Sequence, residues 1–275
     1  MSVLSLEFMR LALVSAVLVG LVAPAVGVFL VQRRLALMGD GIGHVALTGV
    51  ALGFLLGTAP VLTAVVVASV GAVVIELVRQ HGRTSGDVAL ALMFYGGIAG
   101  GVLLIGLSDQ GSNASLLSYL FGSLTAVSPQ DVVVIAVLAG ALLLALAVFG
   151  RQLFAVCHDE EHALVMGLHV RALNLMLAVM AALTVTVAMR VVGLLLVSAL
   201  MVVPVATAQQ LVRGFRATVV VALTTGVLAA VSGVLGSYYA DTAPGALIVV
   251  VALGGFGLAA AVGAVLRRTP RRVHA

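Results

Sequence analysis

The feature that most constrains this chain is a succession of apolar runs of about 18 residues or more, which recur from one end to the other. A helix of that length crosses a hydrocarbon core about 30 Å thick. Lipid cannot satisfy backbone polar groups, and the runs lack the alternation of a membrane β-barrel. The chain is 63% hydrophobic and 9% charged, whereas a soluble domain has about 25% charged residues. The sequence therefore predicts an all-α, polytopic integral membrane protein.

The apolar runs and the turn residues between them predict about nine spans in a single transmembrane domain, residues 1–275. Residues 11–31 are too long a run for the apolar part of a signal peptide, so we expect them to be the first spanning helix. Ser128 and Pro129 open the fifth span as a capping residue and a first-turn proline. The predicted spans are 8–31, 35–57, 60–79, 87–107, 131–149, 171–189, 191–212, 217–237 and 245–266.

Two connections between the predicted spans are longer than a turn. Residues 108–130 contain a semi-apolar stretch, Leu116–Val127, which is expected to form a short re-entrant or interfacial helix. Residues 151–170 carry acidic residues at the start of a short predicted helix and Gly167 at its end. This second connection is expected to be a cytoplasmic loop.

The arginines indicate the orientation of the chain. All 14 basic residues are Arg. If the spans alternate, Arg10 and Arg190 fall on one side, and the remaining 12 (14 minus 2) fall on the other. The positive-inside rule makes the side with more arginines cytoplasmic. The N-terminus is then expected on the outer side of the inner (plasma) membrane and the C-terminus on its cytoplasmic side. Because the arginines are scattered over short connections and form no single basic face, nucleic-acid binding is rejected.

The second span contains Asp40 and His44, four residues apart and therefore on one face of the helix. Rises of about 1.5 Å per residue put them about 7 and 13 Å into a core about 30 Å thick. An ionisable group at that depth is costly unless it is paired or faces a wet cavity, so the pair indicates a functional site. A carboxylate with an imidazole suits Mn, Fe or Zn, and the absence of thiolates argues against Cu(I). The alternative is an internal Asp–His hydrogen bond that only fixes helix packing.

Glycines recur in two of the spans at spacings that allow a neighbouring helix to approach closely. We interpret them as packing residues and not as part of a site. They are Gly49, Gly53 and Gly57 in the second span and Gly96, Gly97, Gly100 and Gly101 in the fourth.

Several other polar or irregular positions each allow two interpretations. Pro204 is expected to kink the seventh span, either as part of a pathway helix or for packing alone. Asp241 either meets incoming cations or caps the ninth span. His158 and His162, four residues apart in the 151–170 connection, either bind a metal or lie on a solvated helix surface. The single cysteine, Cys157, excludes an intramolecular disulfide.

Five stretches, in order along nearly the whole chain, resemble the ABC-3 permease family of zinc, manganese and iron importers. They are Arg33–Asp40 with His44, Tyr119–Val127, Asp159–Gly167, Val191–Ser198 through Pro204–Thr207, and Tyr238–Asp241 with Pro244 and Gly245. The resemblance implies the permease subunit of an ABC importer for a divalent transition metal, with zinc favoured and manganese or iron as alternatives. It implies no permanent cofactor. The implied partners are a second permease copy, ATP-binding cassette ATPase subunits, and a periplasmic or lipid-anchored metal-binding protein.

The resemblance also assigns roles to individual residues. Asp40 and His44 match positions associated with the ion pathway in the family. Further pathway candidates are Tyr95, Pro204, Thr207 and Asp241. One segment is expected to act as a coupling helix that fits a groove of the ATPase. Its residues expected to take part in coupling are Asp159, Glu160, Glu161, Ala163 and Gly167. The chain departs from the family at Tyr95, where some zinc-type members have His, and at Ser123, where others have Asp or Asn.

Two other classes of protein compete with this interpretation. An ATP-independent secondary metal transporter or channel would also be all-helical with a buried Asp–His pair, but it would give no reason for the Asp159–Gly167 segment. A membrane enzyme is the third class, although the strict HExxH motif of metalloproteases is absent from the sequence. The chain also lacks a GxxxxGK[ST] phosphate loop, so ATP hydrolysis is expected on a separate subunit and the chain itself is expected not to be an enzyme.

Overall fold

The computed structural model describes residues 6–80, 86–108, 118–123 and 127–268, and within them the chain is a bundle of helices. Residues 118–121 add a short helical turn between the fourth and fifth helices. In chain order the helices are α1 (Glu7–Gln32), α2 (Met38–Leu55), α3 (Pro60–Gln80), α4 (Gly86–Gly106), α5 (Pro129–His158), α6 (Glu160–Val165), α7 (Val170–Ala188), α8 (Leu194–Leu211), α9 (Phe215–Ala240) and α10 (Pro244–Arg268).

The helices agree with the predicted spans in number and position. In the described part of the chain, eight helices are long and apolar enough to cross a membrane, namely α1 to α5, α7, α9 and α10. The predicted span 191–212 corresponds to α8, whose apolar stretch Leu196–Leu211 is shorter than the others. The expected all-α membrane fold is confirmed, with eight long spans and one shorter apolar helix for the nine predicted. The turn at 118–121 covers part of the predicted helix in Leu116–Val127, of which residues 116, 117 and 124–126 lie outside the described residues.

The helix that contains the predicted fifth span, 131–149, does not end where that span ends. Helix α5 continues for nine further residues (158 minus 149), through Arg151 to His158. Leu153 and Val156 are buried in the core, so the last turns are stabilised by packing after the apolar stretch has ended. The expected loop 151–170 therefore consists of the end of α5, the short helix α6 and a connection to α7.

The inner part of the bundle is formed by α1, α2 and α7, which are mostly buried. Helices α4, α5 and α10 are only about one fifth buried, as expected for helices with surfaces that face lipid. Helix α1 packs against α5, α7, α8 and α9, and α2 packs against α3, α4, α7 and α8. Helix α2 is therefore contacted by four other helices, which fixes the position of the Asp40–His44 face.

The glycines of α2 and α4 account for the close packing around α2. A Cβ atom on Gly49 would lie 2.6 Å from the Cα of Ala64 in α3, and one on Gly97 would lie 2.5 Å from the carbonyl carbon of His44. The Thr48 hydroxyl donates to the carbonyl of Gly97 at 2.8 Å across the same contact. The packing role is confirmed for Gly49, Gly53, Gly97, Gly100 and Gly101. Among the described residues, a Cβ atom on Gly57, which follows α2 with φ +64°, or on Gly96 would meet no atom within 4 Å, so no close packing is seen at these two glycines.

Candidate functional site

The first two turns of α2 position the two ionisable side chains of the second span. Helix α2 begins at Met38, and Asp40 in its first turn complements the helix dipole. Asp40 is half-buried and lines an open cavity of about 250 Å³ between α2 and α4. His44 follows one turn later and is 5% exposed. The other residues lining the cavity are Leu37, Gly41, Leu90, Ala91, Phe94 and Tyr95.

The imidazole of His44 is buried with one nitrogen unused. Among the residues that the structure describes, Nδ1 of His44 has no hydrogen-bond partner. A buried polar atom without a partner is unfavourable by about 1–3 kcal/mol, so such an atom usually reflects a ligand or a functional role. The His44 ring contacts Phe94 edge to face, with ring centroids 4.3 Å apart. Phe94 also lines the cavity, so its ring lies at the boundary between the cavity and His44.

Ser198 of α8 adds a third polar group to this site. Its Oγ lies 3.4 Å from Oδ1 of Asp40 and donates a long hydrogen bond to that carboxylate. Helix α8 passes close to α2 here, because a Cβ atom on Gly39 would lie 3.3 Å from Sδ of Met201. Sequence reasoning did not single out Ser198, although a hydroxyl in an apolar helix was a signal that pointed to it.

The site offers an incomplete set of metal ligands. In residues 6–80, 86–108, 118–123 and 127–268, no three His, Cys, Asp or Glu side chains form a group that could hold a metal ion. Asp40 and His44 therefore supply one carboxylate and one imidazole, and Ser198 supplies a hydroxyl. Hard and borderline divalent ions accept oxygen and imidazole ligands, and an open coordination shell permits release.

The structure brings only one of the further pathway candidates to Asp40. Tyr95 lines the same cavity and is 69% exposed. Pro204 and Thr207 line a different, largely apolar cavity of about 380 Å³ between α8, α9 and α10. The Thr207 hydroxyl donates to the carbonyl of Val203 in its own helix at 2.8 Å.

Asp241 lies far along the chain from these groups and has a local role. It is exposed and adopts the left-handed conformation, with φ 49°. Its backbone N–H donates to the carbonyl of Ser237, so Asp241 ends α9. Its predicted role in capping the start of the last span, and the alternative role in meeting incoming cations, stay predictions.

The segment after α5 has the helix-capping chemistry that the sequence indicated. Asp159 precedes α6, and its carboxylate accepts the backbone N–H of His162 at 2.9 Å. Ala163 is buried, and Gly167 has φ +79°, a conformation that favours glycine. Glu161 is exposed. Three consecutive apolar side chains at the end of α6, which we call the α6 tip, are also exposed: Leu164, Val165 and Met166.

The two histidines of this region do not come together as a metal site. The His158 ring stacks on Phe154, with centroids 5.9 Å apart and an interplanar angle of 17°. His162 lies exposed on α6. Neither belongs to a group of three ligand-type side chains within the described residues.

A ring of three side chains that the sequence did not reveal holds α6 against α1 and α7. The guanidinium of Arg33, just after α1, donates to Oε2 of Glu160 at 2.9 Å and to Oδ1 of Asn174 in α7. The Asn174 amide donates to Oε1 of Glu160 at 2.9 Å, which closes the ring. The Arg33 side chain is only 6% exposed, and these partners compensate its buried charge. We call Arg33, Glu160 and Asn174 the α6 ring.

A second charged cluster joins α5, α7 and the 118–121 turn at the other end of the bundle. Asp131 forms a capping box with Ser128, as the sequence predicted, and an ion pair with Arg190. The Arg190 guanidinium lies 5.8 Å from the ring centroid of Tyr119. Burial lowers the pKa of Arg190, but Tyr119 and Asp131 raise it to above its ordinary value. Arg190 therefore stays charged and fixes the turn to the bundle.

Comparison with known proteins agrees with this architecture. Residues 5–263 match the ABC 3 transport family. The chain is 33% identical to the manganese transport system membrane protein MntC of Halalkalibacterium halodurans, over 93% of this chain and 87% of that protein. It is 30% identical to the high-affinity zinc uptake system membrane protein ZnuB of Haemophilus influenzae, over 89% of this chain and 93% of that one.

A solved structure gives the same result for the fold. The structure of PsaBC from Streptococcus pneumoniae in complex with Fab matches with a TM-score of 0.84 and 32% identity, covering 93% of this chain and 92% of that chain. The sequence match, the relatives and the helix arrangement agree over nearly the full length. The chain belongs to the ABC 3 transport family.

Proposed function

We propose that this chain is the membrane-spanning permease subunit of an ABC importer that moves a divalent transition metal into the cytoplasm. The observation that carries the proposal is the pairing of Asp40 with the unpartnered His44 beside a cavity. Family membership supports it, because the relatives named above are membrane proteins of manganese and zinc transport systems.

The chemistry of the pair fits a transported ion better than a permanently bound one. One carboxylate and one imidazole can replace part of an ion's hydration shell without closing around it. The same ligands accept Zn, Mn or Fe, so they support the metal class and not one metal. The preference for zinc stays a prediction, since the relatives include manganese and zinc systems at similar identity.

The proposed energy source is an ATPase subunit that docks on α6. The α6 tip supports this assignment, because Val165 is 86% exposed and its two neighbours are exposed as well. Contiguous exposed apolar side chains next to acidic ones are typical of a protein contact. In this proposal α6 lies in the cytoplasm and the C-terminus lies inside. A metal-binding protein delivers the ion from outside, and a second copy of the chain completes the pathway.

The second candidate function, an ATP-independent metal transporter or channel, predicts a different experimental result. The chain is reconstituted in proteoliposomes with its ATPase and metal-binding protein, and uptake is measured with zinc and manganese in competition. The proposal requires uptake that depends on ATP and on the ATPase. Uptake by the chain alone, driven only by an ion gradient, would establish the second candidate instead.

A further inference from the structure

The α6 ring joins the proposed coupling helix to a buried part of the bundle. Arg33 and Glu160 are 127 residues apart in the chain, and Arg33 and Asn174 are 141 apart. Asn174 is 3% exposed and Arg33 is 6% exposed at its side chain, whereas Glu160 is 46% exposed. The ring therefore has one member on the short surface helix α6 and two in the protein interior. Charge-assisted bonds of this kind are among the stronger and more directional hydrogen bonds.

Helix α1 connects the ring rigidly to α8. Arg33 is the C-cap of α1, and Gly27 lies six residues earlier, about 9 Å along the helix axis. A Cβ atom on Gly27 would overlap the carbonyl oxygen of Met201 and lie 3.1 Å from its Cα. The backbones of α1 and α8 are thus in direct contact, with no flexible side chain between them to absorb a shift.

Helix α8 in turn contacts the proposed ion site. The same residue, Met201, places its Sδ 3.3 Å from the Cβ position of Gly39 in α2. One turn earlier in α8, Ser198 donates to the carboxylate of Asp40. Met201 therefore lies between Gly27 of α1 and Gly39 of α2, and Gly39 is the residue that precedes Asp40 in the chain.

We infer that the α6 ring is the joint through which movement of α6 is delivered to α1, and through the Gly27–Met201–Gly39 contact to Asp40. The inference rests on the proposed function, and it assigns to Arg33 and Glu160 a positioning role in coupling that is separate from ATPase docking. When the ATPase moves α6, Glu160 pulls on the buried guanidinium, and α1 shifts against α8. The hydroxyl of Ser198 then changes its position relative to the carboxylate that holds the ion.

The test measures the number of ions imported per ATP hydrolysed in the reconstituted transporter with its ATPase and binding protein, using zinc and manganese ions. Glu160→Ala removes both bonds from α6, while Arg33 and Asn174 still bond each other. We expect ATP hydrolysis to persist and the ion-to-ATP ratio to fall about tenfold, within the usual range for coupling between distant sites. Arg33→Gln should lower the ratio in the same way. Arg34→Gln is the matched control, since Arg34 is exposed and adjacent, and should leave the ratio unchanged.

The outcomes separate this inference from the proposed function. If the wild-type assembly imports no metal, the proposed function fails. If the wild type imports metal and both variants keep its ion-to-ATP ratio, only the inference fails. If Glu160→Ala does not assemble with the ATPase, the same measurements are made on Glu160→Gln, which keeps the side-chain volume. Loss of ATPase binding in Glu160→Gln would make the ring a docking element and overturn the inference, whereas bound ATPase with a lowered ratio supports it.

Discussion

The ring of Phe94 contacts the imidazole of His44 edge to face, at a centroid distance of 4.3 Å. Phe94 also lines the cavity that contains Asp40, whereas His44 does not. In this arrangement one proposed ligand is open to the cavity and the other lies behind an aromatic side chain. We therefore expect Phe94 to shield His44 from an ion that reaches Asp40.

Replacing Phe94 with Ala should therefore open His44 to the cavity. We expect His44 to react with diethyl pyrocarbonate several times faster in Phe94→Ala than in the wild type, as measured by peptide-resolved mass spectrometry. Leu92→Ala is the control, because Leu92 is two residues away on α4 and is 67% exposed. An unchanged reaction rate of His44 in Phe94→Ala would contradict the shielding role.

Asp40→Asn and His44→Ala should each reduce metal uptake per folded transporter by at least about tenfold, because even outer-shell partners of metal ligands are commonly worth about 10–100-fold in metal affinity. Assembly with the ATPase should survive, since Asp40 is half-buried beside a cavity and tolerates a neutral amide. Ser198→Ala should have a smaller effect, because its bond to Asp40 is long at 3.4 Å. The measurement is initial uptake of zinc and manganese, normalised to transporter that elutes as a folded complex.

The packing alternative for the same pair predicts the opposite pattern. If Asp40 and His44 only stabilise the bundle, each substitution should destabilise it, because it disturbs packing and buried charge in a medium of low dielectric constant. The variants would then be recovered in low yield, and the folded fraction would import metal at a nearly normal rate. That result would reject the pathway role.

Much of this architecture was predictable from the sequence, because lipid imposes length and hydropathy on each span. The Asp40–His44 face was also predictable, since spacing along one helix is local information. The partners of that face were not, because Phe94 and Ser198 come from other helices. In lipid most faces of a helix are apolar, so hydrophobic periodicity does not tell which face meets which neighbour. The pathway role of Pro204 and Thr207, which line a separate cavity, stays a prediction.

The proposed orientation can be tested with cysteines at the two ends of the bundle. In a Cys157→Ser background, Val165→Cys places a thiol on the α6 tip, and Tyr239→Cys places one at the end of α9. Both native side chains are well exposed, at 86% and 75%. We expect an impermeant maleimide to label Tyr239→Cys in intact cells and Val165→Cys only in inverted vesicles. Labelling of Val165→Cys from outside would overturn the orientation and, with it, ATPase docking on α6.

Gly167 provides a test of the connection that follows α6. Its φ of +79° lies in the left-handed region, and a Cβ atom there would meet no atom within 4 Å, so only backbone strain opposes a side chain. Gly167→Val should strain this turn by about 1–3 kcal/mol and shift the α6 tip relative to α7. We expect a lower affinity for the ATPase subunit, measured by co-purification and titration, while membrane insertion stays normal. Gly150→Ala in α5 is the matched control, because Gly150 is helical with open space around it, and Ala there should stabilise the helix by about 1 kcal/mol. Wild-type ATPase affinity in Gly167→Val would show that the conformation of this turn does not determine docking.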